Sequence, residues 1–153
     1  MPTKSLDNSN SRLLISEVLR KVSNAKTKKE KVDLLTKHNS AALRQLMIIN
    51  FDESVISEIP EGEVPYTPND APAGTEHTQL EKEARLLHHF FKGGSNVSQN
   101  KREMMFIQML EGLSAGEAEV LCLAKDKQIG KRWKITKACV TEAYPQIEWG
   151  GRS

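Results

Sequence analysis

The sequence predicts an all-α fold of six or seven short helices, with a Pro-rich acidic strap connecting two helical groups. Three observations lead there. Apolar residues recur at three- and four-residue intervals through most of the chain, the spacing of one buried helix face. Ser or Thr followed three residues later by Glu, a capping-box signature, appears at Thr27/Glu30, Thr78/Glu81 and Ser114/Glu117. The run PEGEVPYTPNDAPAG, holding Pro60, Pro65, Pro68 and Pro72, interrupts the pattern where proline fixes φ and removes amide donors.

Residues 1–10 are polar and aperiodic and read as a frayed tail. Residues 11–58 form an N-terminal helical unit. Its first helix starts near Ser11 and carries a stripe of Leu14, Ile15, Val18, Leu19 and Val22. Thr27 opens a second helix that runs to about Lys37. Ser40 caps a third over Ala41–Ile49, with Leu43, Leu46, Met47 and Ile49 crowding one side. Residues 59–77 are the Pro-rich connector, either a flexible acidic linker or an ordered strap held through Val64 and Tyr66.

Residues 78–149 form a C-terminal helical unit. A helix capped at Thr78 presents Leu80, Ala84, Leu87 and Phe91 and ends at Gly93 and Gly94. The next, about Asn100 to Gly112, carries Met104, Met105, Phe106, Ile107, Met109 and Leu110 and is expected at the centre of the fold. Its methionines suit gap-filling core, or an adaptable binding groove. Beyond Leu113, two capped segments starting at Ser114 and Thr136 flank a basic turn that bears a tryptophan. Pro145 stops the last helix, and Ile147 and Trp149 either tuck back as a clamp or project as an apolar hook.

At 153 residues, 38% hydrophobic and 27% charged, the chain suits a globular protein with one sizeable core. No apolar run approaches the roughly 18 residues of a membrane span, and the N-terminus lacks the apolar stretch of a secretory signal. A cytoplasmic location is expected. Cys122 and Cys139 lie in helical apolar stretches and read as reduced, packed thiols. The net charge of +2 conceals segregation: Arg20–Lys37 is basic, Asp52–Glu83 strongly acidic, and the chain from Lys125 onward basic again. Such blocks report either a charged partner or attraction between the blocks themselves.

No catalytic motif emerges. His88 and His89 are adjacent on a helix and point about 100° apart, so they read as surface histidines; CxxC and HxxxH spacings are absent, and neither metal nor cofactor is expected. The Gly-Lys pair in Ile129–Arg132 lacks the upstream glycine and the following Ser or Thr of a phosphate loop. GxSxG is absent, and the middle-third carboxylates fall where no rigid element sets their separation. A non-enzymatic role follows, the remaining option being a site assembled from scattered residues.

The basic turn is the strongest functional candidate. Lys125, Lys127, Lys131, Arg132, Lys134 and Lys137 lie close together around Trp133 with one intervening acid, Asp126. Cations neutralise phosphates and release counterions, and an exposed indole stacks on an unpaired base. The rival is a solvated loop that Trp133 anchors into the core. A helix-turn-helix reader has three or four residues in its turn, fewer than separate Asp126 from Thr136, and Glu117, Glu119 and Glu142 repel phosphate. Backbone binding is therefore favoured over sequence readout.

The segments ALRQLMIINFD, IPEGEVPYTPNDAP, LEKEARLLHHFFKGG and LEGLSAGEAEVLCLAKDKQIGKRWKITKACVTEAYPQIEWG resemble a family of short uncharacterised proteins of large contractile-tailed bacteriophages, including those of marine cyanobacteria. The resemblance covers most of the chain after residue 11. It implies a phage origin and a host cytoplasm as the working location, and assigns no residue a role. The combined expectation is a phage accessory protein that engages nucleic acid or host nucleoprotein machinery through Lys125, Lys127, Lys131, Arg132, Trp133, Lys134 and Lys137, aided by Lys26, Lys28, Lys29 and Lys31. The alternative is a protein-binding adapter or virion component acting through the acidic connector or the C-terminal tail.

Overall fold

The computed structural model describes residues 13–70 and 78–152. The expected frayed tail, the helix start at Ser11 and the last part of the connector lie outside these residues. The fold is all-α, with eight α-helices and one 3-10 helix among the described residues. In chain order they are α1 (Ile15–Asn24), α2 (Lys28–Lys37), α3 (Ala41–Phe51), α4 (Leu80–Glu83), the 3-10 helix η1 (Ala84–Phe90), α5 (Gln99–Gly112), α6 (Ala115–Lys125), α7 (Ile129–Trp133) and α8 (Lys137–Ala143).

Local chemistry sets most of the starts. The Thr27 hydroxyl accepts from the Glu30 amide while the Glu30 carboxylate accepts from the Thr27 amide, a complete capping box for α2. Ser40, Ser98, Ser114 and Thr136 each cap a helix through the amide three residues on. The Thr78 box does not form as expected. Thr78 donates to Glu83 at 2.9 Å instead, and the helix begins at Leu80. That helix is α for only four residues and then tightens to 3-10. Beyond it the chain is extended: Ser57 and Phe91 pair as an isolated bridge, and the Lys92 amide donates to the Ile56 carbonyl at 2.8 Å. Gly94 folds directly over this end, where an added Cβ would lie 2.0 Å from the His88 carbonyl oxygen.

The centre of the fold is α6 rather than α5. Helix α6 packs on α1, α3, α5 and α7, and buries Ala118, Val120, Leu121 and Ala124. Helix α5 buries Phe106, Met109 and Leu110 but leaves Met104 60% exposed. Its neighbours are η1, α6 and the chain of residues 58–69, which bonds to Gln99, Arg102 and Glu111. The N- and C-terminal helices contribute to one continuous core, in which Leu19, Leu35, Leu46, Leu87, Phe90 and Leu121 are fully enclosed. Phe90 meets Phe106 edge-to-face with centroids 5.0 Å apart.

Residues 59–70 run along this body. Val64 and Tyr66 pack against the core. The Thr67 amide donates to Glu111 at 2.8 Å, and the Asn69 amide group donates to the Glu111 carbonyl at 3.2 Å. At the other end of the chain, Ile147 and Trp149 pack inward as a clamp. Tyr144, 1% exposed, donates its hydroxyl to the Leu35 carbonyl at 2.6 Å and so ties the end of α8 to α2. No helix of the described residues is long and apolar enough to cross a membrane.

Candidate nucleic-acid interface

The segment between α6 and α8 is not a bare turn, because it contains α7. Gln128 supplies no side-chain cap to this helix. Asn50 of α3, 5% exposed, accepts from the Ile129 amide at 2.9 Å instead. Ile129, Trp133 and Ile135 are buried beneath it. After Trp133 the chain reverses at Lys134, which is left-handed (φ 58°, ψ 46°), and the Ile135 amide donates back to Gly130. This return needs a glycine, since a Cβ at 130 would stand 2.7 Å from the Ile135 oxygen. Gly130→Ala is expected to cost roughly 1–3 kcal/mol through the forced backbone shift; an unchanged urea midpoint would show that the turn is not this tight.

Helix α7 divides the basic run in two. On its N-terminal side the cations serve the fold. Lys125 has a fully buried side chain whose ammonium donates to the Pro60 carbonyl at 3.0 Å, the Gly62 carbonyl at 3.2 Å and Asp126 at 2.6 Å. Lys127 donates to the carbonyls of Ile49 and Asp52 at 2.8 and 2.9 Å, covering the exposed end of α3. Desolvation pulls the Lys127 ammonium below its ordinary pKa, although Asp52 and Glu53 act in the opposite sense. Trp133 is 3% exposed, with the Arg132 guanidinium 4.9 Å from its ring centre. Lys125 and Trp133 therefore drop out of the expected contact surface, being buried, whereas Lys127 remains exposed with its ammonium turned towards the end of α3.

Within α7 Lys131 and Arg132 are exposed, and beyond it so are Lys134 and Lys137. Arg132 forms an ion pair with Glu119 at 3.0 Å and is half-exposed. These cations meet the basic N-terminal part of α2. Helices α2 and α8 pack together, and the Lys31 ammonium donates to the Lys134 carbonyl at 2.6 Å. Lys28 pairs with Glu142 at 3.3 Å. Lys29 pairs with Asp33 at 2.9 Å, which raises its pKa through that hydrogen bond and the adjoining charge. Lys26 is exposed at the preceding turn. The result is one composite face in which Glu30, Asp33, Glu119 and Glu142 are interspersed among a larger number of cations. Such exposed pairs are weakly held and open readily to a competing phosphate.

Nothing nearby forms an obvious reaction centre. Burial pushes the Cys122 thiol up to about 11, so it stays protonated and unreactive at neutral pH. Cys139 is free and buried. His88 is exposed, but His89 is half-buried rather than on the surface, and its Nδ1 is enclosed without a partner. Its pKa is lowered by burial and then by His88, Lys101 and Arg102. Among the described residues, no group of three or more His, Cys, Asp and Glu side chains is placed to hold a metal ion.

Two buried carboxylates tie distant segments together, and Glu117, being enclosed, does not face an incoming phosphate. Glu117 was expected to close a capping box with Ser114; it is instead 1% exposed and accepts from the amides of Ile15, at 3.0 Å, and Leu80, at 2.9 Å. One side chain on α6 thereby caps the first turns of α1 and α4. Asp52, also 1% exposed, accepts from Ser54, from the Gly150 amide at 2.8 Å and from Arg152 at 2.5 Å, and so holds the C-terminal segment. A carboxylate following an apolar helix carries no local sign of such partners.

The family model described as "Family of unknown function (DUF6433)" matches residues 18–131. The chain belongs to this family. No curated protein and no solved structure matches it. The family match takes in α2, both carboxylates, Lys125, which holds the strap, and Lys127, which covers the end of α3. It ends within α7, before Arg132, Lys134, Lys137 and the clamping tail.

Proposed function

We propose that this protein is a non-enzymatic phage accessory protein that binds nucleic acid, alone or within host nucleoprotein, in the host cytoplasm. The contact surface is the composite basic face: Lys131, Arg132, Lys134 and Lys137 from the C-terminal segment with Lys28, Lys29 and Lys31 from α2 and Lys26 from the turn before it. The observation that carries the reading is the bond from Lys31 to the Lys134 carbonyl, which joins two basic runs far apart in sequence. Phage origin rests on the segment resemblance alone.

Three physical points support it. The cations sit on rigid helices and a fixed reversal, so little ordering accompanies contact. The interspersed carboxylates favour phosphate contacts over base readout. Helices α7 and α8 are short and packed on their inner faces. Anisotropy titrations with single- and double-stranded DNA and RNA should show binding at low salt that declines steeply as salt rises. No binding at low salt would sink the proposal.

A second reading is an adapter for a basic protein partner. It is favoured by Glu61, Glu63 and Asp70, which are exposed along the strap while its apolar residues face inward. Recovery of partners that survives nuclease treatment supports the adapter; recovery lost on nuclease treatment supports nucleic-acid binding.

A further inference from the structure

The two tryptophans of this chain have exchanged the roles their positions suggest. Trp133, set among the cations, is buried. Trp149, beyond the last helix, is half-buried against the core with its Nε1 enclosed and without a partner, and carries the Lys137 ammonium 4.9 Å from its ring centre. Lys137 is the first residue of α8, and Lys134, whose carbonyl binds Lys31, stands just before the Thr136 cap. An aromatic ring, Lys137, Lys134 and Lys31 thus follow one another along the face.

We propose that Trp149 is a base-stacking platform and that the basic face takes single-stranded nucleic acid in preference to duplex. The inference rests on the reading of that face as a phosphate-binding surface. A single strand presents an alternation of flat base and anionic phosphate, which a ring followed by a row of cations matches. A duplex keeps its base faces inside the stack and offers the ring nothing. Lys137 is a flexible point charge on an exposed stem, and its hold over the indole is weak in water. A base that slides over the ring displaces the ammonium, which then meets the phosphate of the same nucleotide.

Trp149 is also held in place. The next residue, Gly150, donates its amide to the buried Asp52, and the Arg152 amide donates to Ser54 at 3.0 Å. Ordering the ring before the ligand arrives removes an entropic cost that a loose tail would incur. Asp52 acts here as a positioning residue without touching the strand.

The test uses the full chain, with oligothymidylate and oligouridylate as single strands and a duplex of equal length as comparison. The single strands are expected to bind about tenfold or more tightly than the duplex and to quench tryptophan emission. Trp149→Phe keeps a ring, so it should retain single-strand binding by anisotropy while the quench disappears, because the remaining Trp133 is enclosed. Trp149→Ala, checked for native helicity, should lose about tenfold in single-strand affinity and nothing in duplex affinity. Binding of both forms with no quench, or full single-strand affinity in folded Trp149→Ala, overturns the stacking proposal and leaves the phosphate-binding face standing. No binding of either form at low salt removes both.

Discussion

Replacing Glu117 with alanine is expected to cost about 3–5 kcal/mol, the largest effect of any single substitution considered for this protein. The carboxylate is enclosed and accepts at both oxygens, one from the first amide of α1 and one from the first amide of α4. Each amide carries the partial positive charge of a helix N-terminus, which is why an ionised group tolerates that position. Truncation leaves both amides without this acceptor in a site water does not reach, and opens a void on the most enclosed helix of the fold. Since whole domains are stable by only about 5–15 kcal/mol, the variant should melt far below the parent. Glu117→Gln keeps the volume and one acceptor oxygen but turns an NH2 towards the other amide, so it should fall between the two. Urea unfolding of the three proteins reads this directly; a loss of less than about 1 kcal/mol for Glu117→Ala would mean the double cap contributes little to holding α1 and α4 to α6.

The second large effect concerns Asp52. Burial alone would raise its pKa, but the Ser54 hydroxyl, the amides of Gly150 and Ser54 and the Arg152 guanidinium together hold it far below the ordinary 3.8. Because the folded value is depressed, the stability it contributes is present in full above the ordinary value. It is lost as pH falls from there towards the native value, where the folded carboxylate also takes up its proton. Asp52→Asn should therefore destabilise the protein by about 2–3 kcal/mol at neutral pH, with the difference from the parent shrinking below about pH 4. Arg152 retains some access to water, which keeps the loss below that of a fully enclosed pair. Proteolysis within Gln146–Arg152 should rise in the same variant, since its anchor for the C-terminal segment is weakened. A difference that stays constant from neutral pH to pH 3 would contradict the assignment.

Most of the helices can be read from local chemistry. Thr27, Ser40, Ser114 and Thr136 cap where their hydroxyls predict, and the stripe of Ile15, Val18, Leu19 and Val22 faces the core. What escapes is settled between elements. Helix α7 has no cap of its own and depends on Asn50, so nothing within Ile129–Trp133 announces it. The tightening to η1 follows from the bridge to Ser57 and the close passage of Gly94, neither visible in the helix's own periodicity. Helix α5 carries the larger apolar side chains, Phe106 and three methionines, but α6 is the more apolar helix overall and has more helices packed around it, so α6 takes the centre.

The same distinction divides the site. Lys131, Lys134 and Lys137 lie on the outer side of α7, at the reversal after it and at the start of α8, and all three are exposed. Lys125 and Lys127 look identical in sequence, yet carbonyls from Pro60, Gly62, Ile49 and Asp52 claim them. Only the fold brings Lys31 to Lys134, and only the fold separates the buried Trp133 from the ring at Trp149.

Charge reversal read against salt tests the central claim most directly. Lys31→Glu combined with Lys134→Glu alters the face where its two halves meet; Lys82→Glu combined with Lys92→Glu makes the same charge change at exposed lysines elsewhere. If the composite face binds phosphates, the first pair should lose at least about 100-fold in single-strand affinity at low salt. It should also flatten the dependence of log affinity on log salt by about 1.4, while the second pair stays close to the parent. Equal losses in both pairs would reduce the interaction to unlocalised charge attraction, and unchanged affinity in the first pair would contradict the assignment of this face.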